Sequence, residues 1–268
     1  MHTPYRALFR IRFTNSLQYR IAALAGLFTQ FAWGFMYILA FAAFYREGAA
    51  AFPMTWEQTV AYIWMQQGFL TLFSVWYWEQ SIADTVQSGD VAYELVRPMD
   101  LYGRWVTTLA ANRIARCVLR AAPIFAIGFI LPAPFRLTLV MDLQTAAIFA
   151  ISLVLSFGVA VAFSMFVYIS MFYTINISGV RLIAAIAVDF LMGLVIPIPF
   201  FPAAFRTFVE FSPFGAMQNV PLLIFSGYLT GADLARSLVL QVFWLAVLVV
   251  IGRVFMARSL RRVIVQGG

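Results

Sequence analysis

Residues 143–173, LQTAAIFAISLVLSFGVAVAFSMFVYISMFY, run without a single Asp, Glu, Lys or Arg. A helix needs about 20 apolar residues to cross the hydrocarbon core of a bilayer. Inside that core every backbone polar group must be satisfied within the segment, which leaves the helix as the natural solution for such a run. Five more segments have spanning character: residues 21–45, 59–78, 115–131, 182–197 and 237–256. The whole chain agrees, with 63% hydrophobic and only 11% charged residues, against about 45–50% and 25% in soluble domains. The expected fold is an all-α integral membrane protein with six transmembrane helices, forming one domain over residues 1–268 with no soluble domain attached.

The net charge of +7 invites a nucleic-acid reading, but all 18 basic residues are Arg and their positions follow the membrane. With six spans both termini share one side. Only Arg46, Arg136, Arg206 and Arg236 fall opposite; the other arginines lie with the termini. Cytoplasmic loops carry the excess of basic residues, so both termini are expected in the cytoplasm. Nucleic acid is not an expected partner; the lipid bilayer is. No cleavable signal is evident, because four arginines precede the first apolar run and no small-residue cleavage site follows a short one.

Several chemistries lack their residues. Without Lys there is no G-x-x-x-x-G-K-[ST] loop, so this chain has no P-loop ATPase of its own. His2 is the only histidine and Cys117 the only cysteine. That removes His-paired nucleophiles, H-E-x-x-H and structural zinc. No metal site, no cofactor and no catalytic residue is expected in this chain.

Within the predicted spans a few polar residues stand out. Asp189 lies inside the fifth, where a carboxylate should face protein or water. Three readings fit it: a polar contact in the transport path together with Asn176, a proton-sensitive hinge, or a structural pair with Arg116, Arg120 or Asn176. Ser152, Ser156, Ala160 and Ser164 recur every four residues, a small-residue stripe that lets helices approach closely, within the chain or across a dimer. Arg116 and Arg120 are expected to snorkel to the headgroups. Trp64, Trp76, Tyr77 and Trp78 read as an interfacial belt.

Two segments resist the spanning pattern. The N-terminal YRALFRIRFTNSLQYR mixes Arg with aromatic residues and reads as an interfacial helix or as a basic orientation signal, although its apolar face is not clean on a helical wheel. Residues 198–231 are too apolar for an aqueous loop and too interrupted by Pro202, Pro213 and Pro221 for one span. They suit short re-entrant helices, with Ser212 and Pro213 as N-cap and first helical residue.

The polar stretch VQSGDVAYELVRPMDLYGRW, residues 86–105, interrupts the apolar chain on the cytoplasmic side. WYWEQSIADTVQSG can continue the second span as a helix, closed by Gly89 in a left-handed cap. Asp90 then suits the N-cap of a short helix, VAYELV, which Arg97 and Pro98 stop. Val91 and Leu95 share one face, and so short a helix needs a surface to lie on.

The run I-x-x-x-V-x-S-G-D-V-A-Y-E-L-V-R-P-M, residues 82–99, resembles the signature of a bacterial subgroup of the type-2 ABC transporter permeases. The Arg-rich start, six spans and Pro-broken segment before the last span extend the resemblance over the chain. It implies the transmembrane subunit of an exporter in the bacterial cytoplasmic (inner) membrane. Its partners would be a separate ABC ATPase subunit, which binds ATP and Mg, and a second permease subunit, same or related. It also implies a coupling helix, with Gly89, Asp90, Val91, Tyr93, Glu94, Leu95, Arg97 and Pro98 meeting the ATPase, an N-terminal interfacial helix over residues 5–20, and re-entrant helices over residues 199–225. The resemblance does not identify the cargo; the expectation for it is an amphipathic or hydrophobic molecule. The rival readings are an energy-independent channel or scaffold and a membrane-embedded enzyme.

Overall fold

The computed structural model describes residues 3–18, 20–48, 52–138, 141–174 and 177–261. Among them the regular structure is helical, without strands: α1 (Thr3–Leu17), α2 (Arg20–Gly48), α3 (Trp56–Phe73), α4 (Gln80–Gln87), α5 (Val91–Leu95), α6 (Leu101–Ile130), α7 (Leu143–Ile169), α8 (Ile177–Leu191), α9 (Ala203–Phe211), α10 (Asn219–Phe225) and α11 (Gly231–Leu260). Three helical stretches are long and apolar enough to cross a membrane: Gly26–Gly48, Leu143–Phe172 and Gly231–Leu260. Two of the other spans expected from sequence, the second and third, are helices at the centre of the bundle. Their polar side chains face protein rather than lipid.

Helix α3 shows why. Its residues 59–68 are all buried, Gln66 and Gln67 included. Gln67 O accepts from Gln30 of α2 at 3.1 Å, and Gln66 donates to Leu194 O. The Gln66 side chain thus has a partner in the bundle, whereas the side-chain oxygen of Gln67 is buried without one among the described residues. Thr55 begins α3 with a reciprocal capping box to Gln58.

The expected extension of α3 toward residue 88 does not form. The helix ends at Phe73, and Ser74 takes an extended conformation. Ser74 Oγ accepts from Trp76 N at 3.2 Å, a local bond that competes with the helical ladder. Arg113 of α6 donates to Leu72 O at 3.2 Å, satisfying a last-turn carbonyl from outside the helix. The third span is longer than expected in the other direction, because α6 begins at Leu101, capped by Asp100, which accepts from Gly103 N at 2.8 Å. Arg104 and Arg113 therefore stand on the same helix as Arg116 and Arg120, not in a loop.

Helix α1 lies along α6 and is tied at both ends. Asp100 N donates to Tyr5 OH at 3.2 Å, and Ser16 Oγ donates to Asn112 Oδ1 at 2.7 Å. Its less exposed positions are Tyr5, Leu8, Phe9, Arg12, Phe13, Ser16 and Leu17, the spacing of one helical stripe. Arg12 and Ser16 sit on that stripe and Ile11 lies off it, so the apolar face read unclean.

Between α8 and α11 the chain folds as a helical hairpin. Ser212 ends α9, its Oγ donating back to Val209 O at 2.7 Å, and α10 starts only at Asn219. The expected N-cap role of Ser212 is thus corrected to a C-cap. A Cβ on Gly215 would lie 2.5 Å from Val209 O and 2.8 Å from Glu210 Cα, so this turn closes only around glycine. Helix α10 is buried throughout, against α3 and α7. In the loop before α7, Asp142 caps that helix; the hydroxyl and amide of Thr145 hold its carboxyl below its usual pKa.

Candidate functional site

The polar stretch folds as two short helices joined by a tight turn. Gly89 has φ +81, the left-handed conformation expected of it at the end of α4. Asp90 precedes α5 but accepts no capping bond; its carboxylate accepts from Ser88 Oγ at 2.7 Å, so its role is to fix the turn. Helix α5 ends at Leu95, just before Arg97 and Pro98, both exposed.

Val91 and Leu95 do not share one environment. Val91 is 2% exposed and packs into a cluster with Ile82, Ala83, Trp105 and Tyr168. Leu95 is 44% exposed, Tyr93 72% and Val96 83%. The face of α5 that seats on the protein itself is that of Val91. The apolar face left outward is that of Tyr93, Leu95 and Val96. Glu94 fixes this register: it pairs with Arg104 at 2.7 Å and accepts from Trp105 Nε1 at 3.2 Å, both on the first turns of α6.

Glu79, which the sequence did not single out, connects the same region to α6 and α7. Its carboxylate accepts from Asn112 Nδ2 at 2.5 Å and lies 3.8 Å from Arg116. Its backbone N donates to Tyr168 OH at 2.7 Å. Through Asn112 the chain of bonds reaches Ser16 of α1. The only signal in the sequence was an acid beside an aromatic run.

Asp189 accepts from Ser74 Oγ at 3.2 Å, which ties α8 to the break after α3. The expected structural partners are elsewhere: Arg116 faces Glu79, and Arg120 donates to Tyr77 OH at 2.9 Å. Asn176 lies outside the described residues. Nor does Arg120 snorkel. Its guanidinium packs on α2, where a Cβ on Gly26 would meet it at 2.4 Å. Arg113 is buried and donates to Ser164 Oγ at 2.8 Å besides Leu72 O.

The serine stripe packs within the chain. Ser152 and Ser156 surround Gln241 of α11, whose Nε2 donates to Ser156 Oγ at 2.6 Å, while Ser156 Oγ donates to Met217 O at 2.8 Å. The tryptophans divide. Trp64 is fully buried and donates to Phe135 O at 2.9 Å, so it is core rather than belt. Trp78 stacks on Tyr168 at 4.2 Å, and Arg181 stands over both Trp76 and Trp78.

Among the described residues no cluster of His, Cys, Asp and Glu could hold a metal ion. Compared with known proteins, residues 31–267 match the family model described as ABC-2 family transporter protein. No curated protein matches the chain. The match covers the apolar helices, the short α4–α5 pair and the helical hairpin together, and the chain therefore belongs to the ABC-2 family of membrane transporter proteins.

Proposed function

We propose that this chain is the transmembrane permease subunit of an ABC exporter in the bacterial inner membrane, with ATP and Mg handled by a separate ATPase subunit. Residues 1–268 act as one permease domain that pairs with a second permease, the same or a related chain. Six helices cross: α2, α3, α6, α7 and α11, with α8 completing the set. Both termini are cytoplasmic, α1 lies at the interface, and α9 and α10 dip back into the outer leaflet. The cargo is amphipathic or hydrophobic.

The observation that carries this reading, beside the family, is the two-faced seating of α5. Val91 anchors it to the permease while Tyr93, Leu95 and Val96 face outward. An exposed apolar patch on the cytoplasmic side is a docking surface for a protein partner. A push on α5 reaches α6 directly through Glu94 and Arg104, and reaches α7 and α1 through the Glu79 bonds. Gly89, Asp90, Arg97 and Pro98 shape the turns that present this face. The Asp189–Ser74 tie sits where α8 meets the broken end of α3, and we place it beside the transport path.

Inverted membrane vesicles test the proposal. Uptake of a hydrophobic dye that needs ATP and stops with a non-hydrolysable analogue supports an exporter. Equal flux with and without ATP would make the protein an energy-independent channel.

A further inference from the structure

An apolar groove of about 260 Å³ opens on the outside of the bundle where α6, α7 and α11 meet. Each helix contributes one stripe: Tyr102 and Val106 from α6, Phe157 and Gly158 from α7, and Leu245 and Arg253 from α11. Leu245 and Arg253 are eight residues apart, so the groove runs about 12 Å along α11 at the helical rise of about 1.5 Å per residue. Two glycines shape it. A Cβ on Gly158 would approach Leu245 Cδ1 to 3.0 Å, and one on Gly252 would approach Tyr102 OH to 2.9 Å.

The polar end of the groove is built for an anion. Arg253 is exposed, stands 5.7 Å over the Tyr102 ring, and has no carboxylate within ion-pair distance among the described residues. Tyr102 is 3% exposed, and its buried hydroxyl has no hydrogen-bond partner among the described residues. A buried hydroxyl without a partner costs free energy unless something binds it. The Asp100 carboxylate, beside Gly103 of the same lining, is already held by Gly103 N.

We propose that the groove holds one phospholipid of the surrounding bilayer, with an acyl chain along Leu245 and Phe157 and an anionic headgroup phosphate on Arg253 and the Tyr102 hydroxyl. The inference rests on the membrane orientation proposed above, which puts Arg253 at the cytoplasmic headgroup level. Charge complementarity selects the occupant: an arginine at the headgroup level and a hydroxyl donor suit a phosphate, and the apolar wall below suits its chain. A net-negative headgroup is preferred, because a headgroup amine would be repelled by the guanidinium.

Native mass spectrometry of the purified full-length chain, released from mixed micelles doped with phosphatidylglycerol or phosphatidylcholine, reads the site. The wild type is expected to retain phosphatidylglycerol about tenfold better, as one charge-assisted contact implies. Arg253→Gln should abolish the preference and Arg253→Lys should keep most of it. Val106→Phe, which fills the groove, should lower retention of both lipids, with helix content by circular dichroism unchanged. Equal retention of the two lipids by the wild type overturns the proposal. So does an undiminished preference in Arg253→Gln, or a crosslink from Leu245→Cys to a second copy that shows the groove covered by protein. None of these readouts depends on ATP-driven transport, so loss of the lipid site and loss of the exporter reading are separate results.

Discussion

Glu94 and Arg104 lie 2.7 Å apart, with side chains only 14% and 10% exposed. A five-residue helix has too few hydrogen bonds to persist by itself, so this pair, together with Val91, holds α5 in place against α6.

Removing one partner of such a pair leaves the other charge buried. Glu94→Ala should destabilise the folded permease by about 3 kcal/mol, read as a lower midpoint of unfolding in detergent. Adding Arg104→Met should recover most of that loss. If Glu94→Ala unfolds like the wild type, the pair does not anchor α5.

The turn between α9 and α10 leaves no room for a side chain at Gly215. Gly215→Ala should cost about 2 kcal/mol or more, since the clash is with backbone that cannot rotate away. Gly179→Ala, where a Cβ meets nothing within 4 Å, is the control and should be neutral.

Asp189→Asn keeps an oxygen to accept from Ser74 and so should preserve expression and assembly. Transport per assembled complex should fall if the carboxylate's charge serves the path. Normal transport with poor assembly would make Asp189 a structural residue.

Orientation can be read with single cysteines in a Cys117→Ser background, where Gly68 O, which accepts from the thiol at 3.7 Å, can accept from the new hydroxyl. A cysteine at Arg97 should react with an impermeant thiol reagent from the cytoplasm only, and one at Arg136 from outside only. The reverse pattern would invert the topology.

α7 and α11 were legible in the sequence because their long apolar runs outweigh the few polar groups, such as Ser156 and Gln241, that pair between them. The central helices were harder. α3 carries Gln66 and α6 carries Arg113, polar groups whose partners come from residues distant in sequence. The same cause hid the break at Ser74, which depends on Arg113 and Asp189 arriving from other helices. In the polar stretch Gly89 was readable because a left-handed turn is a local property. The exchange of faces between Val91 and Leu95 was not, because it depends on where Trp105 and Tyr168 stand.

The most direct test of the account is whether the outward face of α5 binds the ATPase subunit. Tyr93→Asp/Val96→Asp should leave the permease folded, since both residues are exposed. Each desolvated apolar side chain is worth roughly 1.5–3 kcal/mol, so the double variant should lose co-purification of the ATPase almost entirely. Val91→Ala, behind the same helix, should instead lower the unfolding midpoint. Wild-type recovery of the ATPase with Tyr93→Asp/Val96→Asp would contradict the account and make α5 a surface helix of the permease alone.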